Sequence, residues 1–203
     1  MKELLIATGN AGKFQEISEM LQDLPLKLYS LKDFGLEIPD SIEDGNTYAE
    51  NSFKKAKYAA QKTGVACLAD DSGIVVDALK DELGVRTRRW GAGPTVSDRE
   101  WLDYFLKRME KEENRAAKFI CHAYVVDPKG KVLYDGVGET TGTLMHELGA
   151  PIIPGLPLSS IFQAENSEKV YAALTTEEKN VISHRGKAMM KVRDYFRESL
   201  RSV

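Results

Sequence analysis

The sequence has little cysteine, no long apolar run and no surplus of positive charge. Its two cysteines, Cys67 and Cys121, sit inside apolar stretches and lack Cys-x-x-Cys spacing. That argues against a zinc site and for two buried thiols in a reducing compartment. No stretch approaches the roughly 18 apolar residues that a spanning helix needs, and Met1 leads straight into a strand-like segment without a secretory pattern. The expected setting is therefore the cytoplasm, with no membrane partner. Lys and Arg number 28 against 31 Asp and Glu, a formal net charge of −3. A protein that lives on a nucleic-acid backbone needs a basic face, so no nucleic-acid partner is expected. A small anionic substrate remains open, because a local pocket can be basic on an acidic protein. Repeats and low-complexity linkers are also missing.

What is present is a 203-residue chain with 42% apolar residues, enough for one large α/β domain. Lys2 to Ala7 reads as a buried strand, and Phe14, Ile17, Met20 and Leu21 fall at helical spacing after a glycine turn. Leu26 to Leu31 reads as a second strand. Thr47 and Glu50 form a capping box for a helix ending at Gly64. Val65 to Ala69 reads as a strand, and Ile74 to Val76 as a separate short one. Ser97 and Glu100 cap a helix running to about Lys111. Lys118 to Val126 and Lys131 to Gly138 form a hairpin around Pro128-Lys129-Gly130. The stretch from Leu148 to Ser160, rich in proline and glycine, is expected as a loop, and a last helix starts near Ser183. Helices alternating with strands, together with an antiparallel hairpin, predict an α/β fold with a mixed sheet flanked by helices. A single domain over 1–203 is expected, with a smaller lobe over about 97–143.

Four constellations carry chemistry. Thr8-Gly9-Asn10-Ala11-Gly12-Lys13 joins a strand to a helix, so backbone N–H groups, the helix dipole and Lys13 are placed to hold phosphate oxygens. The same residues also suit an ordinary turn with Asn10 as helix cap. Glu43 and Asp44 precede a capped helix and suit either dipole compensation or a functional site. Asp70-Asp71-Ser72-Gly73 sets two hard-oxygen ligands next to each other after an apolar strand. One suits Mg²⁺, the other proton abstraction from water. Ser183, a helix cap, is followed by His184 and Arg185 in the first turn, where basic residues oppose the dipole unless they meet an anion or a base.

In order and spacing these segments resemble the inosine triphosphate pyrophosphatase family. The likeness is densest at Thr8-Gly9-Asn10-x-x-Lys13, Glu43-x-Gly45-x-Thr47-x-x-x-Asn51, Ala69-Asp70-Asp71-Ser72-Gly73-x-x-Val76-Asp77-Ala78-Leu79 and Glu178-Lys179-Asn180-x-x-Ser183-His184-Arg185. The resemblance implies an elongated, two-lobed fold with a central cleft and a homodimer. It also implies hydrolysis of deaminated purine triphosphates (ITP, dITP, XTP) to monophosphate and pyrophosphate. By match, Thr8, Asn10 and Lys13 hold the triphosphate; Glu43 and Asp70, with Asp71, bind Mg²⁺; Asp71 is the general base; and Ser72, Lys179, Ser183, His184 and Arg185 line the cleft.

The likeness breaks in two places. The family pattern Gly-Phe-Gly-Tyr-Asp-Pro is replaced by the aliphatic stretch from Gly149 to Phe162, and Ser-Ala-Arg by Thr87-Arg88-Arg89. A stacked ring is worth on the order of 1–3 kcal/mol, so purine affinity should fall unless Trp90, Tyr48 or another ring substitutes. This leaves two alternatives open. One is a pyrophosphatase for another modified or pyrimidine nucleotide; the other is a catalytically silent nucleotide-binding module. Whether Arg86, Arg88 and Arg89 touch substrate is left open by the sequence.

Overall fold

The computed structural model describes residues 2–79, 82–93 and 95–201, leaving aside the side chains of Arg86, Arg88 and Arg89. The role of those three arginines therefore lies outside the described residues. Among the described residues, six strands form one mixed sheet in the order β2-β1-β3-β4-β5-β6. They are β1 (Glu3–Ile6), β2 (Lys27–Ser30), β3 (Cys67–Val76), β4 (Ala116–Val126), β5 (Val132–Leu144) and β6 (Phe162–Ala164). β1 runs parallel to β2 and β3, whereas β3 to β6 are antiparallel.

Helices α1 (Ala11–Leu21) and α5 (His184–Arg201) cover one face of the sheet. They bury Ile17, Leu21, Met189, Val192 and Phe196 against Leu4, Ile6, Leu68 and Val125. Helix α2 (Tyr48–Thr63) covers the other face and packs Ala56, Ala59 and Ala60 on Leu5, Cys67 and Ala69. Alanine at these three positions lets the helix lie close to the strands, and Gly64 ends it in the left-handed conformation at φ 71°. A third core joins the ends of β3 and β5 to α3 (Asp98–Arg108) and β6 around Ile74, Trp101, Phe105, Leu158 and Phe162. It draws on residues inside and outside 97–143. Both thiols are buried and free, and burial pushes them up from the ordinary range.

The structure corrects several expectations. Val65–Ala69 and Ile74–Val76 are not two pieces. Residues 67–76 form one strand, paired with β4 at ten consecutive positions. Asp70 to Gly73 has turn-like composition, but the ladder overrides it because each acid meets a cation on its own face. β5 continues beyond Gly138 to Leu144, carried by the β-branched Thr140, Thr141 and Thr143. Helix α4 (Thr176–Ile182) was not foreseen, although Thr175 and Glu178 form a complete capping box. At Thr47 only half of the expected box is present. Its hydroxyl accepts from the Glu50 amide, while the Glu50 carboxylate accepts from Asn46. The loop before β6 does form, with one 3-10 turn over Pro157–Ser160.

Where β5 passes under α5, a Cβ on Gly138 would stand 2.1 Å from the His184 carbonyl oxygen and 2.6 Å from the Ala188 nitrogen. The Gly138→Ala variant should be destabilised by about 2 kcal/mol, since only backbone movement relieves that overlap. In thermal unfolding the expected drop in Tm is roughly 5 °C. An unchanged Tm would show that the two elements separate at no cost.

Candidate active site

A cleft of about 1010 Å³ opens between the turn after β1, the 3-10 segments before α2, the exposed side of β3, the loop before β6 and the α4–α5 junction. Among the expected residues, Thr8, Asn10, Lys13, Glu43, Asp71, Ser72, Lys179, Ser183, His184 and Arg185 all line it. Asp70 does not: its side chain is fully buried beneath the floor.

The turn after β1 is tied down locally. The Thr8 hydroxyl accepts from the Asn10 amide at 3.2 Å, and Asn10 Oδ1 accepts from the Lys13 amide at 3.1 Å, capping α1. Asn10 Nδ2 donates across the cleft to the Gly155 carbonyl at 3.1 Å. Asn10 therefore serves as the cap and as a tie to the facing loop. Ser183 is likewise occupied, because its hydroxyl accepts from the Gly186 amide at 2.9 Å and caps α5.

Because β3 is continuous, Asp70 and Asp71 point to opposite faces of the sheet. Asp70 faces α1 and α5. Its Oδ2 meets Lys13 Nζ at 3.0 Å and Arg185 Nε at 3.4 Å. Cys121 donates its thiol to the same oxygen at 3.8 Å, and Oδ1 has no partner. Burial pushes the Asp70 carboxyl up, but Lys13, Arg185 and Lys55 more than offset it and hold the group well below the usual carboxylate range. Arg185 Nη2 also donates to Ser72 Oγ at 3.1 Å, which orients that hydroxyl in the cleft.

Asp71 faces α2. There Lys55 Nζ stands 2.8 Å from Glu43 Oε1 and 3.3 Å from Asp71 Oδ1. Burial depresses Lys55, but Asp71, Glu43 and Asp70 together raise it above its ordinary value, so it stays charged. The segment carrying Glu43 is pinned by Asn51, whose Oδ1 accepts from the Gly45 amide at 2.8 Å. Ser52 fixes α2 to β3 by donating to the Ala69 carbonyl at 2.8 Å. Glu43, expected beside Asp70, thus has Asp71 as its neighbour through a shared lysine.

Sequence reasoning missed two residues of this network. Lys55 is one: Asn51, Ser52 and Lys55 interrupt the buried Ala56, Ala59 and Ala60 face at helical spacing, and that is the available signal. Glu16 is the other. One turn after Lys13 on α1, it pairs with both Lys179 and Arg185. Burial pushes Glu16 up, but those two cations bring it below its usual value.

The aromatic lining comes from rings other than the two named ones. The loop before β6 offers Leu156, Leu158 and Ser159, while Trp101, Phe119, Tyr171 and His184 supply aromatic surface. Among the described lining residues, neither Trp90 nor Tyr48 appears. His184 stacks on Phe119 with centroids 4.6 Å apart, and Phe119 stacks on Tyr171 at 5.9 Å. Burial and Arg185 push the His184 imidazole well below its ordinary range, so it is neutral at pH 7, with Nδ1 unpartnered.

Such a cleft brings together Lys13 and Lys55, two carboxylates converging on one ammonium, and aromatic surface. It offers partners for a polyanion and for a flat ring. Comparison with known proteins agrees. A dITP/XTP pyrophosphatase of Geobacter sulfurreducens is 38% identical over 96% of each chain. Another so named, from Streptomyces coelicolor, is 40% identical over 98% of this chain and all of its own. The solved HAM1 protein of Coxiella burnetii superposes with a TM-score of 0.80 at 30% identity, covering 98% of this chain and 100% of that one. The Ham1 family model matches residues 4–195. With that match over nearly the whole length, the chain belongs to the Ham1 family.

Proposed function

We propose that the protein hydrolyses deaminated purine nucleoside triphosphates, such as ITP, dITP and XTP, to the monophosphate and pyrophosphate. The observation that carries the reading is Asp71 and Glu43 meeting on Lys55 in a cleft that the Lys13 turn also lines. The relatives named dITP/XTP pyrophosphatase support the substrate class.

The donor set fits magnesium. Glu43 and Asp71 already converge on a cation, whereas Asp70 points to the other face of the sheet and is taken up by Lys13 and Arg185. Among the described residues no three acids, histidines or cysteines form a cage. A partial shell of hard oxygens suits an ion whose remaining ligands are water and substrate phosphates. Magnesium would be held by Glu43 and Asp71 and would supply charge neutralisation at the phosphates. The chain's own residues do the rest. Asp71 orients a water and takes its proton as the oxygen attacks the α-phosphorus. Lys55 holds that carboxylate in place. Lys13 and the amides of the Thr8–Lys13 turn bind the departing pyrophosphate. Asp70 keeps Lys13 and Arg185 ordered from below. A homodimer in the cytoplasm completes the reading, and sedimentation equilibrium tests the dimer.

The decisive experiment is pyrophosphate release over a nucleotide panel with Mg²⁺. ITP, dITP and XTP should exceed ATP and GTP in kcat/KM by about 10⁴-fold, since a site that hydrogen-bonds one base edge leaves buried groups unpaired with another. A preference for a pyrimidine triphosphate would move the substrate class. Product at background level for every nucleotide would leave only a binding module.

A further inference from the structure

The loop before β6 is closed on itself at its base. The Gly149 amide donates to the Ser160 carbonyl at 2.9 Å, Met145 to Ile161 at 2.7 Å, and Ser160 Oγ to the Pro151 carbonyl at 3.0 Å. Its tip, Gly155, is held from outside on both sides. The carbonyl accepts from Asn10 Nδ2 at 3.1 Å, and the amide donates to Asp98 Oδ2 at 2.6 Å. Gly155 takes φ 77°, and a Cβ there would stand 2.8 Å from Asn10 Nδ2, so the tip is built for glycine. The next four residues, Leu156 to Ser159, all line the cleft.

Asp98 stands on a rigid element. It is the first residue of α3, inside the Ser97–Glu100 capping box, and Trp101, Leu102 and Phe105 bury the helix in the third core. An amide-to-carboxylate bond of this length is charge-assisted, roughly twice as strong as a neutral one. In this chain the loop carries aliphatic side chains, which have no ring plane to fix a base by stacking. Their position must therefore come from the backbone, and the tip is where the backbone is held.

We infer that Asp98 is a positioning residue for base recognition: through the Gly155 amide it sets the Leu156–Ser159 wall at the distance the base needs. It does not have to touch the substrate itself. The inference rests on the proposed reading of the cleft as a nucleoside triphosphate site. Asn10 ties the same tip from the phosphate side, so Asp98 governs the wall and Asn10 the turn.

The test uses inosine monophosphate and inorganic pyrophosphate as separate probes, with the Asp98→Ala and Asp98→Asn variants of the full chain. Ala removes the acceptor, while Asn keeps an oxygen for the Gly155 amide. Asp98→Ala should weaken inosine monophosphate binding about fivefold and leave pyrophosphate binding within twofold, since misplaced walls cost affinity only where they are touched. Asp98→Asn should bind both probes as the parent does, and KM for the preferred triphosphate should rise in the Ala variant with little change in kcat. Equal weakening of both probes, or no weakening of inosine monophosphate, overturns the inference. So does an Asn variant that behaves like Ala. A parent protein that releases no pyrophosphate from any triphosphate sinks the proposed activity instead, and the two failures are told apart by the parent alone.

Discussion

Asp71→Asn is expected to lose about a thousandfold in kcat while nucleotide affinity stays within a few-fold of the parent. The amide keeps the size of the side chain and a hydrogen-bonding oxygen 3.3 Å from Lys55, but it has no basic oxygen to take a proton. A positioned general base contributes about 10²–10⁴ in rate. Asp71 is the acid of the pair that lines the cleft, whereas Asp70 is sealed below it. The measurement is single-turnover pyrophosphate release at saturating Mg²⁺, with affinity followed separately by product binding. A loss smaller than tenfold would remove Asp71 from the base role and turn attention to another cleft oxygen.

The second large effect concerns stability. Asp70→Ala leaves Lys13 and Arg185 facing each other in a buried space with their shared anion gone. Removing one partner of a buried ion pair typically costs about 3–5 kcal/mol. For a chain of this length, that corresponds to a drop in Tm of roughly 10 °C. The pH dependence has a fixed sign. The folded-state carboxyl is held below its ordinary value, so its contribution is complete above pH ~4, the unfolded Asp range, and is lost as pH falls through the folded value. Stability curves of parent and variant should therefore lie apart at pH 7 and approach each other on acidification. Parallel curves would show that the cluster does not depend on the charge of Asp70.

Much of the scaffold was readable because it is local. Asn10, Ser97 and Ser183 cap helices through bonds of at most three residues' reach, and Gly64 ends α2 where a left-handed residue is required. The apolar spacing of α1 and α5 gives their buried faces directly. The acids were readable as residues but not as structure. Asp70-Asp71-Ser72-Gly73 has the composition of a turn, and only pairing with β4 keeps it extended. Lys55 and Glu16 escaped notice because a charged residue on a helix is usually solvated. Each becomes functional only when two distant partners arrive. The rings that line the cleft were left unnamed for the same reason: Trp101 and Phe119 come from α3 and β4, far apart in the chain.

The sequence by itself determined the strand–turn–helix at Lys13, the caps, the apolar faces and the presence of a carboxylate pair, since each depends on neighbours within about one helical turn. Tertiary structure alone decided that Asp70 and Asp71 divide between the two faces of β3. It also chose their cations: Lys13 is 57 residues from Asp70, and Arg185 is 115. The physical reason is alternation. A continuous strand sends successive side chains to opposite sides, and the register with β4 keeps β3 continuous.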